Sequence, residues 1–415
     1  MRIRVAALLV LSALIVAACG DDEPGAEPTV TVATVDEQAG TDLGPGDEDT
    51  EAEEVPVEQT PADDVPLDEP ERFDFTAVSP IVETFIGERQ LNGAALVIVH
   101  RDYGIVGHQF WGVFDQNRVS LIASSSKMVT AGVLLRLQDD GLLDINTPIA
   151  EYVPWAGDHP EITTAQLLSN SSGLPGLLAT AAYPEYLCVF THDTTLQACA
   201  EAVMTTSADD AVVRPPDTGF DYGGAQWQVA GAVAEVVSGK SWTELINEFF
   251  VEPCGLEVFG FNNHFSQIPT NGFSYPPAFN ADPSALVESE NPNMEGGAYT
   301  NTTDYASLLL MHLRDGKCGD NQVLSVEALA AMHSDRIAAA YNGDAIGSGS
   351  GYGMGWWVDR ATGRRSDGGA FGSVPWLDLE DGYGALLLTE SDNGTASMLA
   401  AQLYDLIDDA VAAGV

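Results

Sequence analysis

A serine and a lysine three residues apart stand at the start of an apolar segment. Ser124, Ser125, Ser126 and Lys127 form an S-x-x-K motif. With this spacing on a helix, the Ser124 Oγ and the Lys127 amine lie on one face, within reach of each other. A helix start favours negative charge, and a lysine held there can act as a base near neutral pH. The spacing therefore predicts Ser124 as a nucleophile and Lys127 as its partner base.

The motif by itself is weak, because a capping serine followed by a surface lysine gives the same letters. Lysine is scarce in this chain, however, and occurs only at Lys127, Lys240 and Lys317. The residues after the motif, as far as Leu137, are nearly all apolar. A lysine in the first turn of a buried helix requires a partner, which favours the chemical interpretation.

The elements around this motif follow from the apolar periodicity. Residues 140–345 are typical of helices and loops, and strand-like runs lie on both sides of them. The expected elements are a helix over Phe75–Arg89, strands over Gly93–Val99 and Tyr103–Val113 joined at Arg101-Asp102, a helix over Ser124–Leu137 ended by Asp139-Asp140-Gly141, strands over Tyr352–Asp359, Ala370–Leu379 and Tyr383–Thr389, and a closing helix over Ala396–Ala413. This order predicts an α/β fold of the α+β type. The N- and C-terminal parts would form one antiparallel sheet flanked by helices, with a mostly helical region inserted between them.

The N-terminus has the pattern of a targeting segment. Arg2 and Arg4 precede a short apolar run, which ends in Val-Ala-Ala-Cys at Cys19. The run is too short to span a bilayer comfortably and indicates a signal peptide over residues 1–19. Its end resembles a bacterial lipobox, which predicts lipidation of Cys19; an ordinary cleaved signal is the alternative. Both place the protein outside the cytoplasm, as a lipoprotein of the bacterial cell membrane or as a secreted protein.

Residues 20–72 have the composition of a tether. They are rich in Asp, Glu, Pro and Gly, and contain no aromatic residue and no Lys or Arg before Arg72. Such a segment cannot bury enough apolar surface to order itself, so we expect a disordered acidic linker, with a partner-binding tail as the alternative. The folded domain is then expected over residues 73–415. The net charge of −46 argues against nucleic acid or anionic lipid as partners.

The other four cysteines predict disulfide bonds. Cys188, Cys199, Cys254 and Cys318 can pair in three ways in an oxidising compartment. We favour Cys188–Cys199, which closes a short loop, together with Cys254–Cys318. None of these cysteines has a histidine at a ligand-like spacing, so neither a metal site nor another cofactor is expected.

Several segments together resemble one known superfamily. They are Leu121–Pro154 with the S-x-x-K motif, Ile162–Pro175, Arg214–Tyr222, Trp227–Lys240, Gly296–Tyr299 and Tyr352–Trp356. The chain from about Phe73 to the C-terminus is similar to the serine β-lactamases and D,D-peptidases. It is most similar to the branch related to class C β-lactamases, carboxylesterases and D-aminopeptidases.

The resemblance implies a second motif at Tyr222. The family has Tyr-x-Asn, whose tyrosine assists proton transfer. Tyr222 matches the tyrosine, whereas Gly224 stands where Asn is usual. Gln226 is a weak candidate for replacing that amide.

The resemblance also implies a third motif, which in the family is Lys-Thr-Gly or His-x-Gly. The matching residues here are Asp367, Gly368 and Gly369, followed by Ala370. The glycines suit close approach of backbone to substrate, and the N–H groups of Ala370 and Ser124 would form an oxyanion hole. An Asp would repel the substrate carboxylate that the family's cation binds, unless the nearby Arg364 and Arg365 compensate.

These inferences predict an extracytoplasmic serine hydrolase that forms an acyl-enzyme on Ser124, with Lys127 and Tyr222 as base. The expected substrates are small carboxylic esters, with D,D-peptidase or β-lactamase-type amides as the alternative. A surface binding protein of the same fold, with weakened catalysis, is another alternative. A Ser-His-Asp enzyme would have a G-x-S-x-G elbow between a strand and a helix. Residues 347–351 match the letters of that motif, but they lie in a linker-like run and do not support such an enzyme. The seven histidines are accordingly expected to be structural. The sequence does not indicate an oligomeric state.

Overall fold

The computed structural model describes residues 72–177, 183–206, 213–267, 282–341 and 349–415. The predicted leader with Cys19, and the acidic segment as far as residue 71, lie outside these ranges. No helix among the described residues is long and apolar enough to cross a membrane.

A seven-stranded antiparallel sheet is built from the two ends of the folded region. Its strands are β1 (Gly93–His100), β2 (Gly104–Gly112), β8 (Ser350–Tyr352), β9 (Trp357–Asp359), β10 (Arg365–Ser366), β11 (Ser373–Asp378) and β12 (Tyr383–Leu388). They lie in the order β2-β1-β12-β11-β10-β9-β8. The register pairs Val97 of β1 with Leu386 of β12, and Ser366 of β10 with Trp376 of β11. The predicted sheet of N- and C-terminal strands is therefore confirmed.

Strand β1 explains why both faces of this sheet are covered. All eight of its residues are buried. Leu96 and Ile98 face a core formed with α1 (Val78–Arg89) and α12 (Asn393–Gly414), whereas Val97 and Val99 face the larger core on the opposite side. A continuous apolar run, instead of an alternating one, is expected for a strand buried on both faces.

The region between the two halves of the sheet is mostly helical. Its helices are α2 (Lys127–Asp139), α3 (Thr164–Leu168), α4 (Leu196–Met204), α5 (Ala225–Ser238), α6 (Trp242–Ile246), α7 (Glu252–Cys254), α8 (His264–Gln267), α9 (Thr302–Leu313), α10 (Val326–His333) and α11 (Arg336–Tyr341). Its short strands are β3 (Ser120–Leu121), β4 (Gly260–Phe261), β5 (Ala298–Thr300), β6 (Lys317–Cys318) and β7 (Asn321–Gln322). Strands β3, β5 and β4 form a small sheet beside the start of α2. Helix α2 is buried along almost its whole length, so it lies in the interior of the domain.

Two predicted late strands are interrupted by glycine turns. The expected strand over Tyr352–Asp359 is divided into β8 and β9, because Gly355 has a left-handed φ of 83° and the chain turns between Gly353 and Trp356. The expected strand over Ala370–Leu379 begins only at Ser373, after a turn that includes Gly372 with φ 84°. The linker-like interpretation of residues 347–351 is wrong for Ser350 and Gly351, which belong to β8.

Both favoured cysteine pairs form disulfide bonds. Cys188 and Cys199 are joined with their Cα atoms 5.5 Å apart. Cys254 and Cys318 are joined at 4.8 Å and link α7 to β6. The second bond connects parts of the chain 64 residues apart, which fixes the end of α7 against the segment after α9.

Candidate active site

A strained turn presents Ser124 at the start of the interior helix. Ala123 has a φ of 44°, which is unusual for a residue with a side chain. The chain then forms a 3₁₀ turn over Ala123–Ser126 before α2 begins at Lys127, so the predicted α-helix starts three residues later than Ser124. Ser125 and Ser126 are buried, whereas Ser124 is partly exposed. Of the three serines in this turn, Ser124 alone can meet a ligand.

Hydrogen bonds from its neighbours hold this turn in place. Ser125 Oγ donates to the Asp367 carbonyl at 2.8 Å. Ser126 Oγ donates to the Ala123 carbonyl at 2.5 Å and accepts from the Ala298 amide at 3.0 Å. The buried serines of the motif therefore connect the Ser124 turn to the third-motif segment and to β5.

Lys127 faces Ser124 inside the protein. Its side chain is fully buried, and Nζ donates to Ser124 Oγ at 2.9 Å and to the Glu295 carbonyl at 3.0 Å. Nζ also lies 3.6 Å from Glu295 Oε2 and 4.7 Å from the centre of the Tyr222 ring. The surface-lysine alternative is therefore wrong, because the amine is directed at Ser124 and away from bulk solvent.

Glu295 is a member of the site that the sequence analysis missed. Its Oε2 accepts a hydrogen bond from the Gly224 amide at 2.8 Å. Burial raises the pKa of the Glu295 carboxyl, and the nearby Lys127 ammonium opposes this shift. Gly224, which replaces the usual Asn, thus contributes its backbone instead of a side chain. The sequence signal that could have identified Glu295 is its position directly before Gly296–Tyr299, one of the segments that resemble the family.

Tyr222 lies over the lysine at the start of the segment that leads into α5. Its hydroxyl donates to Asp367 Oδ1 at 2.9 Å. Burial and the Asp367 charge raise the pKa of Tyr222 well above its usual value, while a hydrogen bond with Ser124 opposes the shift. The tyrosine therefore contacts the candidate nucleophile on one side and a carboxyl group on the other.

Buried amides fix the backbone next to Tyr222. Asn170 Oδ1 accepts hydrogen bonds from the Gly223 amide at 3.0 Å and from Trp227 Nε1 at 2.8 Å. Gln226 Nε2 donates to the Asp221 and Gly223 carbonyls at 2.6 and 2.8 Å. Gln226 thus supports the loop and does not take the place of the missing Asn.

Asp367 is fully buried directly after β10, and its carboxyl group accepts a hydrogen bond from Tyr222. Burial raises the pKa of its carboxyl to about 7, while Lys127 and the Tyr222 hydrogen bond oppose the shift and Glu295 adds to it. Asp367 Oδ2 has no hydrogen-bond partner among the described residues. A carboxyl in this environment changes its charge near neutral pH.

The two glycines after Asp367 lie in close packing, and at Gly369 the crowding atom belongs to backbone. A Cβ on Gly369 would lie 2.1 Å from the Ile122 carbonyl oxygen, and one on Gly368 would lie 2.4 Å from Asn393 Oδ1. Ala370 packs against the cluster of Leu121 and Ala123. The glycines thus bring Ala370 beside the turn that carries Ser124.

Arg364 and Arg365 do not compensate for the Asp, so that alternative is wrong. Arg364 donates to both carboxylate oxygens of Asp408 at 2.9 and 2.7 Å. Arg365 donates to the His333 carbonyl at 3.3 and 3.1 Å. Both guanidinium groups are therefore engaged by Asp408 and by the His333 backbone.

Three buried histidines in the part of the chain that the structure describes make no hydrogen bond to Ser124, Lys127 or Tyr222. His312 Nδ1 and His333 Nε2 are 3.0 Å apart, and burial lowers the pKa of His312 to about 3. Burial likewise lowers the pKa of His264 to about 3. No group of three His, Cys, Asp or Glu residues in the described ranges is arranged to hold a metal ion.

Comparison with known proteins agrees with this geometry. A profile of the beta-lactamase family matches residues 78–409. Penicillin-binding protein 4 of Amycolatopsis lactamdurans is 26% identical over 340 residues, which cover 76% of this chain and 85% of that protein. EstCE1, described as a hydrolase with promiscuous acyltransferase activity, shares the fold with a TM-score of 0.62 at 20% identity, covering 80% of this chain and 97% of that one. A D-stereospecific amidohydrolase from Streptomyces sp. also shares it, with a TM-score of 0.58 at 20% identity and coverage of 80% and 98%.

Proposed function

This chain belongs to the beta-lactamase family, and on that premise we propose that it is a serine hydrolase that forms an acyl-enzyme on Ser124. The observation that carries the proposal is the contact between the Lys127 amine and Ser124 Oγ at 2.9 Å in a buried setting. In the proposed reaction Ser124 Oγ attacks a carbonyl carbon, and Lys127 and Tyr222 together act as the general base for the Ser124 proton. The leaving group departs protonated, and water then releases the acyl group from Ser124.

The oxyanion of the tetrahedral intermediate would be bound by two backbone amides, those of Ser124 and Ala370. Each such donor contributes about 2.7–4 kcal/mol to transition-state stabilisation in enzymes of this type. The packing of Ala370 against Ala123 supports this assignment, because it brings the two segments together.

The substrates in this proposal are small carboxylic esters without a carboxylate next to the reacting carbonyl. Glu295 Oε2 lies 3.6 Å from the Lys127 amine, and the charge of Asp367 also interacts with that amine, so the site has two acidic groups for one cation. A negative charge on the substrate would be repelled there. Amides are the alternative substrates in this proposal, because a D-stereospecific amidohydrolase has the same fold.

The protein in this proposal acts outside the cytoplasm and is attached to the membrane through lipid on Cys19. The lipobox-like residues that end at Cys19 support the anchor. The two disulfide bonds support an oxidising compartment. Partitioning of the protein into the detergent phase tests the anchor. The wild-type protein should enter that phase, and a Cys19→Ala variant should not.

Covalent labelling tests the enzymatic proposal. Purified protein is treated with a fluorophosphonate probe, and the adduct is located by mass spectrometry. The expected result is one adduct on Ser124, lost in Ser124→Ala and retained in Ser284→Ala, an exposed serine that serves as the matched control. Absence of labelling together with no hydrolysis of short p-nitrophenyl esters would contradict the proposal and favour a binding protein. Acylation by a fluorescent penicillin would overturn the preference for esters.

A further inference from the structure

Tyr222 connects the candidate nucleophile to a buried carboxyl group. Its hydroxyl is close enough to the Ser124 side chain for their interaction to lower the pKa of the tyrosine, and it donates a hydrogen bond to Asp367 Oδ1 at 2.9 Å. Asp367 lies 145 residues beyond Tyr222 in the sequence and is fully buried. A tyrosine that donates to a carboxylate can accept a proton from the serine as it gives up its own.

Lys127 is placed to donate hydrogen bonds to this serine. An ammonium has three donors and no acceptor. Lys127 Nζ donates to Ser124 Oγ and to the Glu295 carbonyl, and it lies 3.6 Å from Glu295 Oε2. In this arrangement the lysine stabilises negative charge on Oγ, and the proton of Ser124 leaves in another direction.

We propose that Asp367 is the terminal acceptor of the Ser124 proton, with Tyr222 as the relay between them. This inference rests on the proposed acyl-enzyme function and refines its proton path. As Ser124 Oγ bonds to the carbonyl carbon, its O–H bond breaks and the proton passes to Tyr222 Oη. The original Tyr222 proton passes to Asp367 Oδ1, which becomes a neutral carboxylic acid. When the leaving group departs, the proton on Tyr222 Oη passes to it, and the proton on Asp367 Oδ1 returns to Tyr222, so that one proton reaches the leaving group and Asp367 is again a carboxylate.

The groups around Asp367 set the pH at which it can accept a proton. Lys127 favours its ionised form, and the Tyr222 hydrogen bond does the same. Glu295 disfavours ionisation, and burial does so more strongly. Tyr305 and Tyr352 also face the Asp367 charge and remain neutral, since burial raises the pKa of each well above its usual value. The relay therefore works when Asp367 is ionised, which requires a pH above about 7.

The rate of fluorophosphonate labelling as a function of pH tests the relay. In the wild-type protein we expect the rate to rise with pH through about 7 and then level off. Asp367→Asn should lower the rate at pH 8 by about 10²–10⁴-fold and remove the rise, because the amide cannot accept the proton. Asp367→Glu should retain a rise with pH at a reduced rate. Asp409→Asn, on the exposed face of α12, is the matched control and should behave as wild type.

The outcomes separate this inference from the proposed function. If the wild-type protein is not labelled at Ser124, the proposed function itself is contradicted. Labelling at Ser124 with the same rate and pH dependence in Asp367→Asn would overturn only the relay. A slow Asp367→Asn variant that keeps the wild-type pH midpoint would also overturn it, since the midpoint would then belong to another group.

Discussion

Replacing Asp367 with asparagine should remove part of the stability loss that the wild-type protein shows as the pH rises. The folded protein holds the Asp367 proton up to about pH 7, whereas an unfolded chain releases it near the ordinary value of 3.8. Unfolding therefore releases a proton between these two pH values, and the free energy of unfolding falls with rising pH over that interval. The asparagine variant has no such proton and should not show this part of the decline.

The magnitude follows from the separation of the two pKa values. Each pH unit between them changes the free energy of unfolding by about 1.4 kcal/mol. Between pH 5 and pH 8, with half-titration near 7 taken into account, the wild type should lose about 2.5 kcal/mol relative to Asp367→Asn. The new amide also replaces Oδ2, which lacks a hydrogen-bond partner among the described residues. An unsatisfied buried amide costs about 1–3 kcal/mol at every pH, so the change with pH is the informative quantity.

Urea denaturation at several pH values between 5 and 8, with disulfide bonds intact, measures this difference. The matched control is Asp409→Asn, whose exposed carboxylate should leave the difference from wild type flat across the range. A difference between wild type and Asp367→Asn that changes by less than about 0.5 kcal/mol across the range would contradict this prediction. It would mean that Asp367 ionises in the folded protein near its ordinary pKa.

Three further substitutions test the site and its support. Lys127→Ala removes the donor 2.9 Å from Ser124 Oγ and should slow fluorophosphonate labelling by at least about 10²-fold; a rate within threefold of wild type would contradict this. Gly369→Ala places a Cβ 2.1 Å from the Ile122 carbonyl oxygen and should lower the free energy of unfolding by about 1–3 kcal/mol in urea, whereas unchanged stability would show that the close approach is not required. Joint replacement of Cys254 and Cys318 by Ala opens a bond across a separation of 64 residues and should cost about 4 kcal/mol, with a loss below about 1 kcal/mol counting against it.

The features that depend on residues close together in the chain could be predicted from the amino-acid sequence alone. Ser124 and Lys127 are three residues apart, so one turn of helix brings their side chains together in any fold that buries the segment. The continuous apolar run over Gly93–Val99 predicted a strand, and β1 is found there with all eight of its residues buried. The family resemblance rested on similarly local segments, and residues 78–409 match the family.

Contacts between distant segments were decided only by the tertiary structure. Glu295 stands 168 residues after Lys127 in the sequence, yet folding brings its Oε2 to 3.6 Å from the lysine amine. Arg364 stands three residues before Asp367 but is drawn to Asp408, so proximity in sequence did not predict proximity in space. The four cysteines permitted three pairings, and the fold joined one of them. Helical and strand periodicity report only which face of an element is buried. Partners across the core depend on how whole elements pack, and the charge state of Asp367 follows from that packing because burial dominates its pKa.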